Sequence, residues 1–219
     1  MPSGPIDSTS WVAKQIEAMK EISNTEVTGP HTFRVDRSNL PSFEVLVFSS
    51  LSVTDDVLAP LFASSPNVSM VVNIPKDAAW LKSGILIVTE KGVAFGGMGD
   101  LMSAIGRNLE DIRRFKKKEN AFVERILTQH TKVSSIEQEA DRAYRIFRTN
   151  GVPLRIVLLN EYELTGDRIR TAVDEYGPFD IVLMTNPCGT ATSDAQCVSK
   201  VLEIPLLTSK QLLGRLNVP

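Results

Sequence analysis

The stretch Phe33-Arg34-Val35-Asp36-Arg37-Ser38-Asn39 decides the architecture of this chain, because a close counterpart occurs later. That counterpart, Tyr144-Arg145-Ile146-Phe147-Arg148-Thr149-Asn150, begins 111 residues downstream. The same offset aligns further pairs on both sides: Trp11 with Phe122, Val12 with Val123, Glu26 with Glu137, Thr54 with Thr165, and Asp56 with Asp167. Agreement at a fixed offset is typical of an internal repeat, so we interpret the chain as a tandem duplication.

The duplication predicts two similar structural units within the 219 residues. We place the first repeat at 8–108 and the second at 119–219, with an N-terminal tail over 1–7 and a basic linker over 109–118. Each repeat has an ordinary domain size. We expect the two repeats to pack about a pseudo-two-fold axis, as a dimer within one chain.

Composition and charge are those of an ordinary globular protein, with 42% hydrophobic residues, 23% charged residues and a net charge of −2. That balance provides no global attraction to nucleic acid or to acidic membranes. We see neither a secretory signal at the start nor an apolar run long enough to cross a bilayer. Cys188 and Cys197 have no cysteine at the matching position of the first repeat, which is typical of a reduced protein. We therefore expect a cytoplasmic protein that does not contact membranes.

The hydrophobic pattern predicts one order of elements in both repeats: a helix, two or three meandering strands, then helix-strand-helix-strand-helix. In the first repeat the opening helix is expected to reach Ile22, and hairpin strands are expected over 31–37 and 43–48. Pro75 is expected to open a helix that runs through Trp80 to about Glu90. Strands that alternate with helices must be parallel, so the predicted class is α/β with a mixed sheet.

This order of elements resembles the PD-(D/E)XK nuclease fold, the restriction-endonuclease-like architecture. The end of the second repeat is similar to the type IV restriction-enzyme branch. There Leu183-Met184-Thr185-Asn186 closes a strand, a helix with Ala191 and Ala195 follows, and a short strand and a leucine-rich helix end the chain. The resemblance implies an acidic residue on one hairpin strand and an acid-x-Lys triplet on the next. Such carboxylates hold a divalent metal while the lysine positions the attacking water.

Asp141, Glu161 and Glu163 are the candidates for that chemistry, as catalytic residues and as ligands of Mg²⁺ or Mn²⁺. Asp141 precedes one strand of the second hairpin, and the two glutamates follow the other. Both repeats lack the lysine, and in the first repeat the segment 49–52 lacks a carboxylate as well. We predict that the first repeat is inactive and that the second keeps at most a partial site. The alternative is that these acids, with Glu137 and Glu139, form a solvated hairpin rim.

Gly96, Gly97, Gly99 and Asp100 form a second candidate site, between a predicted strand and a predicted helix. Backbone N–H groups in such a place can hold an anion, which suggests a loop for a nucleotide or another small ligand. The alternative is a tight structural turn in which Asp100 is the helix N-cap.

Positive charge is concentrated in two places. Arg34 and Arg37, with their counterparts Arg145 and Arg148, could contact phosphates symmetrically, or they could pair with acidic neighbours and cover the hairpins. The linker carries the cations Arg113, Arg114, Lys116, Lys117 and Lys118. This run is either a solvated linker or the contact for nucleic acid or an acidic partner.

Three functional hypotheses follow. The first is a non-catalytic, nuclease-like binding or assembly protein that contacts nucleic acid or a protein partner and holds no resident cofactor. The second is a metal-dependent nuclease with a partial site in the second repeat. The third is a small-ligand or nucleotide binder at Gly96–Asp100.

Overall fold

The chain divides into two compact units in the computed structural model, which describes residues 8–76 and 78–218. Unit 1 is Met1–Lys116 and unit 2 is Lys117–Pro219. Each unit is α/β and contains a five-stranded mixed sheet, which confirms the predicted fold class of two similar α/β units. The predicted tail over 1–7 lies outside the described residues.

Unit 1 begins with a helix and a three-strand meander. Its helices are α1 (Ser8–Ile16), α2 (Asp55–Ser64), α3 (Lys82–Glu90) and α4 (Met98–Gly106). Its strands are β1 (Ile22–Val27), β2 (Thr32–Arg37), β3 (Phe43–Phe48), β4 (Ser52–Val53), β5 (Met70–Asn73), β6 (Ala79–Trp80) and β7 (Ala94–Gly96).

The sheet of unit 1 has the strand order β1-β2-β3-β5-β7. The first three strands are antiparallel because short turns join them, whereas β3, β5 and β7 are parallel because helical crossovers join them. The short strands β4 and β6 form a separate parallel pair.

Helices cover both faces of this sheet, so β3 is buried on both sides. Alternate residues of a strand point to opposite faces. Val45 and Val47 therefore belong to the core that contains α1 and α4, while Leu46 and Phe48 belong to the core that contains α2 and α3. Unit 1 is a three-layer α/β/α structure.

Unit 2 repeats the same order of elements. Its helices are α5 (Lys118–Thr128), α6 (Gly166–Tyr176), α7 (Ser193–Val201) and α8 (Ser209–Leu216). Its strands are β8 (Val133–Gln138), β9 (Ala143–Arg148), β10 (Leu154–Leu159), β11 (Glu163–Leu164), β12 (Ile181–Met184), β13 (Thr190–Ala191) and β14 (Leu206–Thr208). The order in the main sheet is β14-β12-β10-β9-β8.

The duplication extends to the pairing of individual residues. Phe33 pairs with Val45 in unit 1, and Tyr144 pairs with Ile156 in unit 2, so both partners are shifted by the same offset. Even the irregularity in the edge strand recurs, between Ile22 and Asn24 and again 111 residues later. The two units therefore share one backbone design down to the hydrogen-bond register.

The predicted helix through Trp80 is wrong. Ala79 and Trp80 form β6, because the Ala79 and Leu81 N–H groups donate to carbonyls of the β4 segment, and α3 begins only at Lys82. The same correction applies in unit 2, where Ala191 lies on β13 rather than on a helix. The opening helix also ends at Ile16 instead of Ile22, since 22–27 joins the sheet as β1.

The predicted linker over 109–118 is partly core. Ile112 and Phe115 are buried in unit 1, where a short 3-10 helix spans Ile112–Arg114, and the last linker residue, Lys118, already opens α5. Among the described residues, no helix is both long and apolar enough to span a membrane.

Candidate functional site

The candidate site lies at one edge of the unit 2 sheet. Strands β10 and β12 are parallel, and β9 starts opposite the end of β10, since Ala143 pairs with Val157. Asp141, Glu161 and Thr185 are therefore brought to the same edge. We call this region the carboxyl edge of unit 2. In open α/β sheets, ligands generally bind outside the carboxyl ends of the parallel strands.

Asp141 is buried at this edge, with 5% of its surface exposed. One carboxylate oxygen accepts a hydrogen bond from the Tyr176 hydroxyl at 3.3 Å, and the other lies 3.9 Å from Nε of Arg142. The Asp141 backbone carbonyl accepts from the Asn120 amide at 2.8 Å. Asp141 therefore joins α5, the hairpin and α6, and its side chain is shielded from solvent.

A second set of polar contacts continues from Asn120 into the core. The Asn120 amide donates to the Tyr144 hydroxyl at 2.8 Å, and that hydroxyl donates to Glu124 at 3.2 Å. The Thr185 hydroxyl donates to Glu119 at the start of α5. Burial raises the pKa of both Tyr144 and Tyr176 above the usual value. Both phenols therefore stay protonated and act as hydrogen-bonding groups.

Glu161 is held by an arginine. Arg168 on α6 donates to Glu161 at 3.1 Å and to Glu175 at 3.2 Å, so one guanidinium bridges two carboxylates. Burial lowers the pKa of Arg168, but these two carboxylates outweigh it and leave the pKa raised. The second carboxylate oxygen of Glu161 is buried and has no hydrogen-bond partner among the described residues.

The three acids of the nuclease hypothesis do not converge on a metal position. Asp141 is buried beside Tyr176, Glu161 is paired with Arg168, and Glu163 is exposed on the short strand β11. Over residues 8–76 and 78–218, no group of three or more His, Cys, Asp or Glu side chains could hold a metal ion. Asp141, Glu161 and Glu163 therefore do not form a three-carboxylate ligand set.

Glu139 and Arg145 are tied together on the hairpin. Glu139 accepts from Arg145 at 2.5 Å and from Arg155 at 2.6 Å. Burial raises the pKa of Glu139, but the hydrogen bonds from both arginines outweigh it and leave the pKa below the usual value. Arg145, proposed above as a phosphate contact, is thus engaged by a carboxylate.

Arg37 and Arg148, two of the four arginines considered for phosphate contacts, are engaged within the protein. Both are buried, with 7% and 8% of the surface exposed. Arg37 donates to the carbonyls of Pro41, Leu109 and Glu110, and Arg148 donates to those of Val152 and Val218. In each unit the arginine fastens the hairpin to the segment that follows the last helix. This contact to the following segment is one role that the two arginines share.

The segment Gly96–Asp100 is a closed turn. Gly97 is the N-cap of α4, and its N–H donates to the Asp100 carboxylate at 2.9 Å. The sequence suggested Asp100 as the N-cap of this helix, but Asp100 is the third residue of the helix. A side chain at Gly96 would collide with Asp100, since an added Cβ would lie 2.4 Å from a carboxylate oxygen. The Asp100 carboxylate therefore takes up one of the backbone N–H groups that could otherwise bind an anion.

The basic run begins on the short 3-10 helix Ile112–Arg114 of unit 1. Ile112 and Phe115 are buried, whereas Arg113, Arg114, Lys116 and Lys118 are exposed. Arg107 holds the turn, because it donates to the Lys116 carbonyl at 2.8 Å and its guanidinium lies 4.8 Å from the Phe115 ring centroid. The core of unit 1 therefore positions Arg113, Arg114 and Lys116, whereas Lys118 begins α5 of unit 2.

The buried polar network of unit 2 was missed by sequence reasoning. It was detectable as a contrast between the copies at the 111-residue offset: Tyr144 replaces Phe33, Glu124 replaces Ala13, and Thr185 replaces Ile74. Polar residues at positions where the other copy is apolar indicate a local change of chemistry within a shared backbone.

Comparison with known proteins yields no relative. No protein-family model, no curated protein and no solved structure matches this chain. The geometry of the site is therefore the basis for the functional proposal.

Proposed function

We propose that this chain is a non-catalytic, nuclease-like binding protein whose partner is nucleic acid, bound through its phosphates. The observation that carries the proposal is the basic run, four of whose cations are exposed on and beside a turn anchored by Ile112 and Phe115. Cations that are close together in the chain and exposed can neutralise neighbouring phosphates, which favours binding.

The absence of catalysis is supported by the residues around Asp141. A metal-dependent nuclease of the family that the sequence resembles would carry an acid and a lysine on the strand beside it. Strand β10 contains neither along Leu154–Leu159, and Val157 and Leu159 are buried and apolar. The side chains next to Asp141 therefore favour packing over metal chemistry.

The start of α5 supports a binding role for the lysines. Lys117 is the N-cap and makes no side-chain capping bond, and Lys118 is the first helical residue. Cations are unfavourable at a helix N-terminus, where Ser, Thr, Asp or Asn would stabilise the helix. Helix capping therefore does not account for the two lysines, and contact with phosphates would.

Fluorescence anisotropy with an end-labelled 20-base-pair DNA duplex and a matching RNA tests the proposal. The variant K116A/K117A/K118A should lose at least about tenfold in affinity, since removing three phosphate contacts abolishes three counterion-release terms. The matched control is K14A/K200A/K210A, which removes the same charge from exposed positions elsewhere. The slope of log affinity against log salt should flatten only in the first variant.

Equal affinity of the two triple variants would refute the nucleic-acid contact, and a complete lack of binding by the native chain would leave a protein as the partner. Incubation of a labelled duplex with Mn²⁺ tests the catalytic part. We expect no cleavage, and cleavage that disappears in E161Q would establish the nuclease alternative instead.

A further inference from the structure

We infer that unit 1 contains a binding cleft for a small, singly charged carboxylate, beside Arg37. The cleft has a volume of about 420 Å³, which is in the range of small-molecule sites. It is lined by Leu40 and by six polar or charged residues, Lys20, Glu21, Arg37, Ser38, Asn39 and Asn108. The inference concerns the hairpin end of unit 1 and is independent of the nucleic-acid contact.

Arg37 provides a buried positive charge at this cleft. Carbonyl oxygens accept from Nε, from Nη1 and twice from Nη2, so one Nη1–H has no acceptor among the described residues. The guanidinium also lies 5.2 Å from the Phe43 ring centroid, which fixes its orientation. The charge is therefore preorganised for a ligand.

All the hydrogen-bond acceptors that contact the Arg37 guanidinium are neutral backbone carbonyls. No carboxylate of the described chain forms an ion pair with Arg37. Burial lowers the pKa of Arg37, and the attraction of the more distant Asp111 raises it by less, so the pKa stays below its usual value. A buried cation without a counter-charge is unfavourable, so an anion that enters the cleft would relieve this cost.

The remaining charges of the cleft determine which anion fits. Lys20 and Glu21 form no ion pair with any described residue, so both are available to a ligand. Lys20 adds a second positive charge, whereas Glu21 repels a dianion. The amides of Asn39 and Asn108 and the hydroxyl of Ser38 can donate to carboxylate oxygens. A monoanionic carboxylate suits this combination better than a phosphate dianion.

Unit 2 provides an internal comparison, because its matching positions differ in charge. Thr131 stands where unit 1 has Lys20, and Lys132 stands where it has Glu21. Gly151 replaces Leu40, and the Arg148 guanidinium packs directly on it, since an added Cβ would lie 2.7 Å from Nη2. Arg37 and Arg148, which we call the arginine struts because each ties its hairpin to the segment after the last helix, therefore lie in different local environments.

A ¹H–¹⁵N NMR titration with sodium acetate tests the inference, with sodium chloride at equal ionic strength as the reference. Acetate should shift the Ser38, Asn39 and Asn108 signals and the Arg37 Nε signal saturably, while the Arg148 Nε signal stays in place. K20A should raise the acetate dissociation constant about two- to fivefold, the range for one exposed charge contact. K14A, a charge-matched change on α1, should leave it unchanged.

N108G gives a second test that preserves the fold. Asn108 has a φ of 51°, which glycine adopts freely, so the variant removes only the side-chain amide. We expect weaker acetate binding with an unchanged spectrum elsewhere. Absence of saturable shifts, or equal acetate affinity in K20A and the native chain, would overturn the inference. Tighter binding of inorganic phosphate at pH 8 than of acetate would overturn the assignment to a monoanion.

Discussion

The two units share one backbone register but fill it with different chemistry. Where the first helix packs on the sheet, unit 1 has Ala13 on the helix and Phe33 on the strand. Unit 2 has Glu124 and Tyr144 at those positions, and the Tyr144 hydroxyl bonds to both Glu124 and Asn120. One backbone therefore accepts either apolar or polar side chains at these matching positions. The polar version is stable only when its donors and acceptors are paired, because an unpaired buried group is costly.

On the opposite face the contrast is reversed. Unit 1 has an aromatic cluster of Phe48, Trp80 and Phe95. Trp80 packs edge-on against Phe48, and its ring centroid lies 4.6 Å from that of Phe95. The matching residues of unit 2 are Leu159, Ala191 and Leu206. The interior of unit 1 thus depends more on large apolar side chains.

The connections between elements are the part that both units retain. Thr9 donates to the Pro30 carbonyl, and Asn120 donates to the carbonyl of Asp141, the matching residue. Arg37 and Arg148 likewise fulfil one role twice. Side chains that satisfy backbone carbonyls are constrained by the shared backbone, whereas side chains that fill volume are free to diverge.

Truncation of the aromatic cluster should give the largest effect. W80A should lower the free energy of unfolding of unit 1 by about 3–5 kcal/mol, because Trp80 is buried and a cavity remains. Urea unfolding followed by Trp11 fluorescence measures this, since both tryptophans of the chain lie in unit 1. L206A in unit 2 is the control and should leave that transition unchanged. A loss under 1 kcal/mol would show that the cluster is not a main support of unit 1.

The arginine struts should have equal effects in the two units. R37M and R148M should each cost about 3 kcal/mol, because several buried carbonyls lose a charged donor. Trp11 and Trp80 fluorescence reports the first variant. Second-derivative tyrosine absorbance reports the second, since all three tyrosines lie in unit 2. A neutral R148M beside a destabilising R37M would contradict the shared structural role.

The polar network should show a non-additive response. Y144F introduces only one residue of unit 1 and should cost about 1–2 kcal/mol, because Asn120 and Glu124 each lose a hydrogen bond to the Tyr144 hydroxyl. The triple variant N120T/E124A/Y144F copies unit 1 and should cost less than Y144F by itself. The measurement is urea unfolding monitored by the remaining tyrosines. Additive losses would mean that the units differ in more than this network.

Glu139 should give the smallest effect, and one that depends on pH. Its folded pKa is depressed by Arg145 and Arg155, so its contribution is complete above the ordinary glutamate pKa of about 4.3 and is lost as the pH falls through the folded value. E139Q should therefore lower stability by about 1 kcal/mol at pH 7 and by less at pH 3. Urea midpoints at both pH values test this against E90Q, an exposed control in unit 1. An equal E139Q loss at both pH values would exclude the ion pairs as its source.

Much of the fold was predictable because each repeat provides an independent copy of the same pattern of helices and strands. The 111-residue offset located both hairpins and the alternating strands and helices, and the structure confirms two α/β units. The prediction failed at Trp80, whose neighbours allow either a helix or a strand. The pairing of Ala79 and Trp80 with Ser52 and Val53 decided that position. Local preference is weak where a distant backbone segment offers hydrogen bonds.

The candidate site was predictable only in part. Asp141 and Glu161 were selected for their type and position, and the structure places both at the carboxyl edge of unit 2. That Asp141 is buried under Tyr176, and that Glu161 is held by Arg168, did not follow from the pattern. Tyr176 lies 35 residues from Asp141, and no periodicity relates them. The roles of Arg37 and Arg148 were hidden for the same reason, since Leu109 lies 72 residues from Arg37.

The duplication, the general order of helices and strands in each copy, and the positions where the copies differ in polarity can all be read from the sequence. Those properties are encoded in periodicity and in a constant offset, both of which are read along the chain. Only the tertiary structure decided which charges are buried, which are paired, and which face solvent. Burial and pairing depend on contacts between residues far apart in the chain. The repeated stretch therefore supports the fold in both units, and in unit 1 its residues Arg37, Ser38 and Asn39 also line the cleft that, with the cations of 113–118, is a functional candidate.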